Sequence, residues 1–200
     1  MTGSRARGDA GQVFPIYITV VAGLLFLAFA YFAVGQAAVN RNGAQTAADA
    51  AALAAAQETR DGLADLWVED VLDPAKWHDI FNGDGVRLAD PCWRARELAA
   101  QNDATVNLCD PEGLRFLVTV QANKTAGDSV IPATSTTKAH ADAVAVIEPL
   151  CTFDTPGADA EEDVLPKLTC GNGDREWELD PDDLSDLPKP EDLFDVHLAD

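Results

Sequence analysis

The chain has 200 residues, 47% of them hydrophobic, with 34 acidic against 14 basic side chains and a formal net charge of -20. Such a balance is repelled by nucleic acid and, for the chain as a whole, by an anionic lipid surface, so neither is expected as a partner. All four cysteines, Cys92, Cys109, Cys151 and Cys170, fall well beyond the apolar N-terminal region.

Residues 1–12 read as a short cytoplasmic tail carrying Arg5 and Arg7. No charged side chain lies between Asp9 and Arg41, and Val13–Val39 holds little that is polar beyond Thr19 and Gln36. A bilayer core takes roughly 20 apolar residues as a helix. This run reaches about 40 Å at a rise of ~1.5 Å per residue, enough to span with tilt. Phe14 and Tyr17 near one end, and Tyr31 and Phe32 near the other, suit the two interfaces. Pro15 falls in the first turn, where a missing N–H does no harm. Arg5 and Arg7 predict a cytoplasmic N-terminus, with everything after Arg41 extracytoplasmic. The competing reading is a cleaved signal peptide. Its apolar core would be about 7–15 residues, shorter than this run, and no clean A-x-A site ends the run here.

Residues 40–60 continue the helix with alanine, the best helix former. From Gln45 to Gln57 only Asp49 is charged, which is too apolar for a solvated helix. Gly43, Ala47, Ala50, Ala51 and Ala54 leave little side-chain bulk, so a second helix could approach closely. The plainer reading is that alanine simply favours helix. The helix is expected to end near Asp61-Gly62.

Residues 61–151 read as an extracytoplasmic α+β head. Leu63, Leu66, Trp67 and Val71 recur at helical spacing. Asp73-Pro74 opens a short helix with Trp77, Ile80 and Phe81, and Asp90-Pro91 opens another over Cys92–Gln101. The period then changes to two. Thr105–Leu108 is a short strand. Leu114–Asn123 is a longer one, with Phe116, Val118, Val120 and Ala122 on one face. After a polar loop over Lys124–Thr137, Lys138–Ile147 alternates again, with Ala139, Ala141, Ala143 and Ala145 on one face. The expected core is three antiparallel strands behind the long helix.

Residues 152–200 are acidic and contain Pro156, Pro166, Pro181, Pro188 and Pro190, which suits an extended segment. Cys170 and Trp177 tether its first part, and the chain from Asp180 onward is expected to be mobile. Four cysteines outside the membrane imply two disulfides among three possible pairings. Cys92–Cys109 and Cys151–Cys170 are favoured because each closes a short local loop. Zinc competes poorly, with no CxxC and no histidine at ligand spacing.

Catalytic chemistry has no visible carrier. His78, His140 and His197 are scattered, and no phosphate loop, HExxH or GxSxG is present. Asn82-Gly83-Asp84-Gly85 and Gly171-Asn172-Gly173-Asp174 read as turns, each short of a calcium-loop ligand set. No cofactor or metal is expected.

Ala10-Gly11-Gln12, the long apolar span, and Asn42-Gly43-Ala44-Gln45-Thr46-Ala47-Ala48-Asp49 followed by the alanine run to Ala56 together resemble the N-terminal module of TadE/TadG-like proteins of the tight-adherence, Flp-type pilus system. The resemblance covers about the first 60 residues. It implies a membrane-anchored, non-enzymatic pilus-assembly component or minor pilin whose partners are the bilayer and other pilin-like or assembly proteins, met through a pilin-like N-terminal helix. Prepilins processed by the dedicated peptidase usually carry Glu five residues after the cleaved glycine. Here Val13 follows Gly8 and Ile16 follows Gly11 at that distance, which favours a retained, TadG-like anchor. The alternative is a single-pass, membrane-tethered module that binds a cationic or cell-wall ligand through its acidic head.

Overall fold

The computed structural model describes residues 13–125, 138–154 and 165–199. The expected tail 1–12, most of the expected loop Lys124–Thr137, and Pro156 lie outside the described residues. One helix, α1 (Val13–Glu69), takes in the apolar run and the alanine run without a break over 57 residues. At a rise of ~1.5 Å per residue that is about 85 Å. From Phe14 to Val39 every residue is exposed except the half-buried Val21.

From Ala44 onward the same helix becomes the centre of the head. Ala44, Ala47, Ala48, Ala51, Ala52, Ala55, Ala56, Leu63 and Trp67 are all buried. The helix does not stop at Asp61-Gly62. Gly62 lies inside it, and a Cβ there would stand 3.3 Å from Leu88 Cδ2. The glycine clears room for the loop that crosses the helix; it is not a C-cap. Leu63, Leu66 and Trp67 therefore extend α1 rather than starting a new helix.

Two short helices follow, α2 (Pro74–Asn82) and α3 (Cys92–Gln101). Trp77, Ile80 and Phe81 of α2 are buried, and Gly83 closes α2 with φ 68°. Asp90 Oδ1 accepts a hydrogen bond from the Cys92 N–H at 2.9 Å, so a carboxylate does occupy the start of α3.

The sheet is antiparallel and four-stranded, in the order β1 (Ala104–Glu112), β2 (Arg115–Thr125), β3 (Lys138–Pro149), β7 (Phe194–Leu198). Phe116, Val118 and Val120 of β2 and Ala141, Ala143, Ala145 and Ile147 of β3 are buried. They face α1, which packs across β2 and β3 and reaches β7, while α3 packs beside it against β1. The opposite face carries Thr119, Gln121, His140 and Asp142.

The fourth strand corrects the expected three. It comes from the acidic region expected to be mobile from Asp180 onward. Leu193 and Phe194 are buried there, and Phe194–Leu198 pairs with Pro149–Ala145. A smaller antiparallel sheet joins β4 (Cys151–Phe153), β5 (Leu168–Cys170) and β6 (Arg175–Trp177). The short helix α4 (Pro190–Leu193) leads into β7. Aromatic contacts bind these parts to the end of α1. Trp67 meets Trp77 at 5.6 Å, Trp77 meets Phe153 at 5.3 Å, and Phe81 meets Phe194 at 5.1 Å.

Candidate functional site

The feature with most to say about function is α1, which changes environment part way along. Its first half presents Phe14, Leu24, Leu25, Phe26, Leu27, Phe29, Tyr31 and Phe32 outward, each more than half exposed. A soluble protein rarely leaves so large a continuous apolar surface uncovered. The helix is long and apolar enough to cross a membrane. Thr19 Oγ1 donates to the Pro15 carbonyl at 2.8 Å, so the hydroxyl in this stretch is satisfied within the helix.

In the second half, small side chains set how closely the helix lies on the sheet. Ala47 and Ala51 have no exposed surface and Ala54 is 5% exposed. Ala141, Ala143 and Ala145 meet the helix from β3. On α3, Ala95 and Ala99 are fully buried on the side that packs against α1. The close-packing partner of Ala47, Ala51 and Ala54 is therefore the chain's own sheet and α3, a correction to the expectation of a separate helix on that face. Ala50 is only half-buried, on the opposite side of α1 with Thr46, Leu53 and Gln57. Gly43 is exposed, and a Cβ added there would meet nothing within 4 Å. The buried Thr59 hydroxyl donates to the Ala55 carbonyl at 3.1 Å and is satisfied within the helix, whereas the buried Trp67 indole N–H further along α1 has no hydrogen-bond partner among the described residues.

Two side-chain hydrogen bonds fasten the helix where it enters the head. Asn40 Nδ2 donates to the Thr125 carbonyl at 2.8 Å, and Gln45 Nε2 donates to the Asp142 carbonyl at 3.2 Å. Between the last residue of the apolar run, Val39, and the first buried alanine, Ala44, lie only Asn40 to Gly43. That is about 6 Å of helix.

All four cysteines are bonded. Cys92–Cys109 ties the start of α3 to β1 with Cα atoms 5.9 Å apart, and Cys151–Cys170 links directly opposed residues of β4 and β5. Both hold short elements that have little core of their own.

No group of three or more His, Cys, Asp or Glu side chains suited to a metal ion exists among the described residues. His140 Nε2 lies 2.8 Å from Gln121 Nε2 across β2 and β3. His197 Nδ1 lies 3.0 Å from Asp195 Oδ2. Both pairs are exposed on the sheet. Lys76 is held above its ordinary pKa, first by its hydrogen bond to Asp70 and then by the charges of Asp70 and Asp73. Lys167 is raised in the same way by Glu176. Asp183 is lowered by hydrogen bonds from Ser185. All three are surface pairings.

An acidic cleft of ≈ 600 Å³ runs along residues 174–187, with Asp174, Glu176, Glu178, Asp180, Asp183 and Asp186 around Trp177. Its cation, Arg175, is held by Asp192 at 2.5 Å. The Trp177 indole N–H is buried and has no hydrogen-bond partner among the described residues. It is a donor and would not help to hold a cation.

No curated protein and no solved structure was found to match the chain. The finding that bears on function falls on α1 alone, leaving α2, α3 and both sheets outside it. Residues 11–58, which carry the whole apolar run and the alanine-lined entry into the core, match the family model described as Putative Flp pilus-assembly TadE/G-like, so this N-terminal segment is similar to that family.

Proposed function

We propose that this chain is a single-pass, non-enzymatic component of a Flp-type pilus-assembly system, of minor-pilin type, with its N-terminus cytoplasmic and its disulfide-tied head outside. The observation that supports the reading is a single helix whose exposed apolar half runs on into the head core, most of it within the segment that matches the family. The orientation is supported by Arg5 and Arg7 before the span and by disulfides beyond it, which form in oxidising compartments.

On this reading other assembly proteins meet the span, since the alanine face of the head is already filled. Gly23 and Gly35 have no neighbouring atoms within 4 Å of a built Cβ, so another membrane helix could approach there. A photo-crosslinking side chain at Ala22 or Val34 should give adducts with apolar helices of the pilus-assembly machinery. The protein should stay in the membrane on alkaline carbonate extraction, and its head should be cut by protease added outside. Lipid adducts alone would remove the assembly role. A soluble product beginning beyond Val39 would turn the span into a cleaved leader.

The second reading, a tethered binding module for a cationic or cell-wall ligand, draws support from the acidic cleft at Asp174–Leu187. Saturable binding of a polycation, lost when Glu176, Asp180 and Asp183 become amides, would move it ahead.

A further inference from the structure

The chain's net charge of -20 argues against contact with an anionic surface, but the sign reverses locally at the base of the head. Between Asp9 and Asp49 the only charged residue is Arg41. Arg41 stands three residues before Ala44 and seven before Ala48, both buried, so it continues the head-facing side of α1 toward the span. Its neighbour Asn40 is bonded to the Thr125 carbonyl. Thr125 adjoins Lys124 and is the register partner of Lys138. The fold thus brings the backbone positions of Arg41, Lys124 and Lys138, three cations from distant parts of the sequence, to the end of the head where α1 enters it.

The nearest described acid in this group is Asp103, whose carboxylate lies 2.6 Å from Lys124 Nζ, both side chains being largely exposed. Among the described residues Arg41 and Lys138 have no carboxylate within ion-pair distance. Asp49 lies eight residues above Arg41 along α1, about 12 Å away along its axis. Only Asn40 to Gly43 lie between the apolar run and the buried alanines, so no stalk separates that run from the head. On the membrane-anchor reading this puts Arg41 within one helical turn of the end of the apolar run, close to the lipid headgroups.

We propose that Arg41, Lys124 and Lys138 form a basic collar that seats the head on anionic phospholipid headgroups of the leaflet it faces. The partner is fixed by geometry: the collar is continuous with the span, and phosphates are the anions present at that depth. Each surface cation near an anionic bilayer favours contact by roughly fivefold. Among the described residues, three cations less the charge of Asp103 should give a preference on the order of tenfold at low salt. The inference rests on the membrane-anchor reading of α1.

The full chain, purified in mild detergent, is mixed with equal amounts of phosphatidylglycerol and phosphatidylcholine, and the lipid that stays bound is quantified by mass spectrometry. The wild type should retain phosphatidylglycerol about tenfold over phosphatidylcholine, and high salt should reduce that ratio. An Arg41→Gln, Lys124→Gln, Lys138→Gln variant should lose the preference with its near-ultraviolet circular dichroism and both disulfides unchanged. A charge-preserving Arg41→Lys, Lys124→Arg, Lys138→Arg variant should keep it, which a purely structural role would not predict. Should the neutral variant hold phosphatidylglycerol as well as the wild type, or the wild type show no preference, the collar has no lipid role. A chain that stays monodisperse without detergent and retains neither lipid would instead remove the anchor reading itself.

Discussion

Ala51 has no exposed surface, and the side chains around it belong to the same molecule. A leucine there would force its extra carbons into a filled space between helix and sheet. We expect Ala51→Leu to destabilise the head by about 1–3 kcal/mol, read as a lower denaturation midpoint. Gly43→Ala is the matched control. Its Cβ meets nothing, and replacing a helical glycine should raise stability by up to about 1 kcal/mol. Equal tolerance at both positions would show that the alanine face is loosely packed. The sequence made the demand for close packing plain, because Gln45–Gln57 is almost without charge. It did not show what satisfies the demand. A small-residue face looks the same whether a foreign helix or the chain's own Ala141, Ala143 and Ala145 will cover it. Gly62 misled for a related reason: a glycine that clears space for Leu88 has no local signature to separate it from a helix stop.

Among the elements, β2 and β3 were legible because their apolar positions alternate strictly and one face is buried. The strand β7 also alternates, in Phe194, Val196 and Leu198 against Asp195 and His197. That pattern was masked by the prolines and acids just before it, which set the composition of the whole region. The residue that anchors the strand is Phe194, 1% exposed and stacked near Phe81. Phe194→Ala should cost about 3–5 kcal/mol in global unfolding. If β7 were an independent flap, the loss would instead appear only as faster hydrogen exchange in Phe194–Leu198 and in Ala145–Pro149 opposite, with the global midpoint unchanged. The disulfides act on elements of this short kind. Removing Cys92–Cys109, with its sequence separation of 17, should cost about 3 kcal/mol on the chain-entropy model, and α3 should loosen from β1 first.

At the scale of the whole molecule, α1 is one unbroken helix that joins the apolar run to the head, and on the proposed topology it connects bilayer and head. Each residue of an α-helix turns the chain by about 100°. One alanine inserted between Asn42 and Gly43 should rotate the head relative to the faces of the span and break the Asn40–Thr125 hydrogen bond, while the core from Ala44 onward stays intact. Seven inserted residues restore nearly the original rotation but lift the head by about 10 Å. If pilus assembly depends on the relation between span and head, the single insertion should impair it. The longer insertion should restore it only where height above the bilayer is unimportant. Cross-links from the span, measured in the membrane, distinguish the two outcomes. The same helix also dictates an order of events during synthesis. On the proposed topology its apolar half would enter the membrane first, and its alanine half would emerge beside it with nothing yet to pack on. The sheet that covers those alanines is complete only when Phe194–Leu198 has crossed and paired with β3. On the proposed topology the chain would therefore carry an incompletely covered apolar helix at the membrane surface until its last strand has crossed. In that interval, rather than in the finished molecule, Ala47, Ala51 and Ala54 would be open to another helix or to a chaperone.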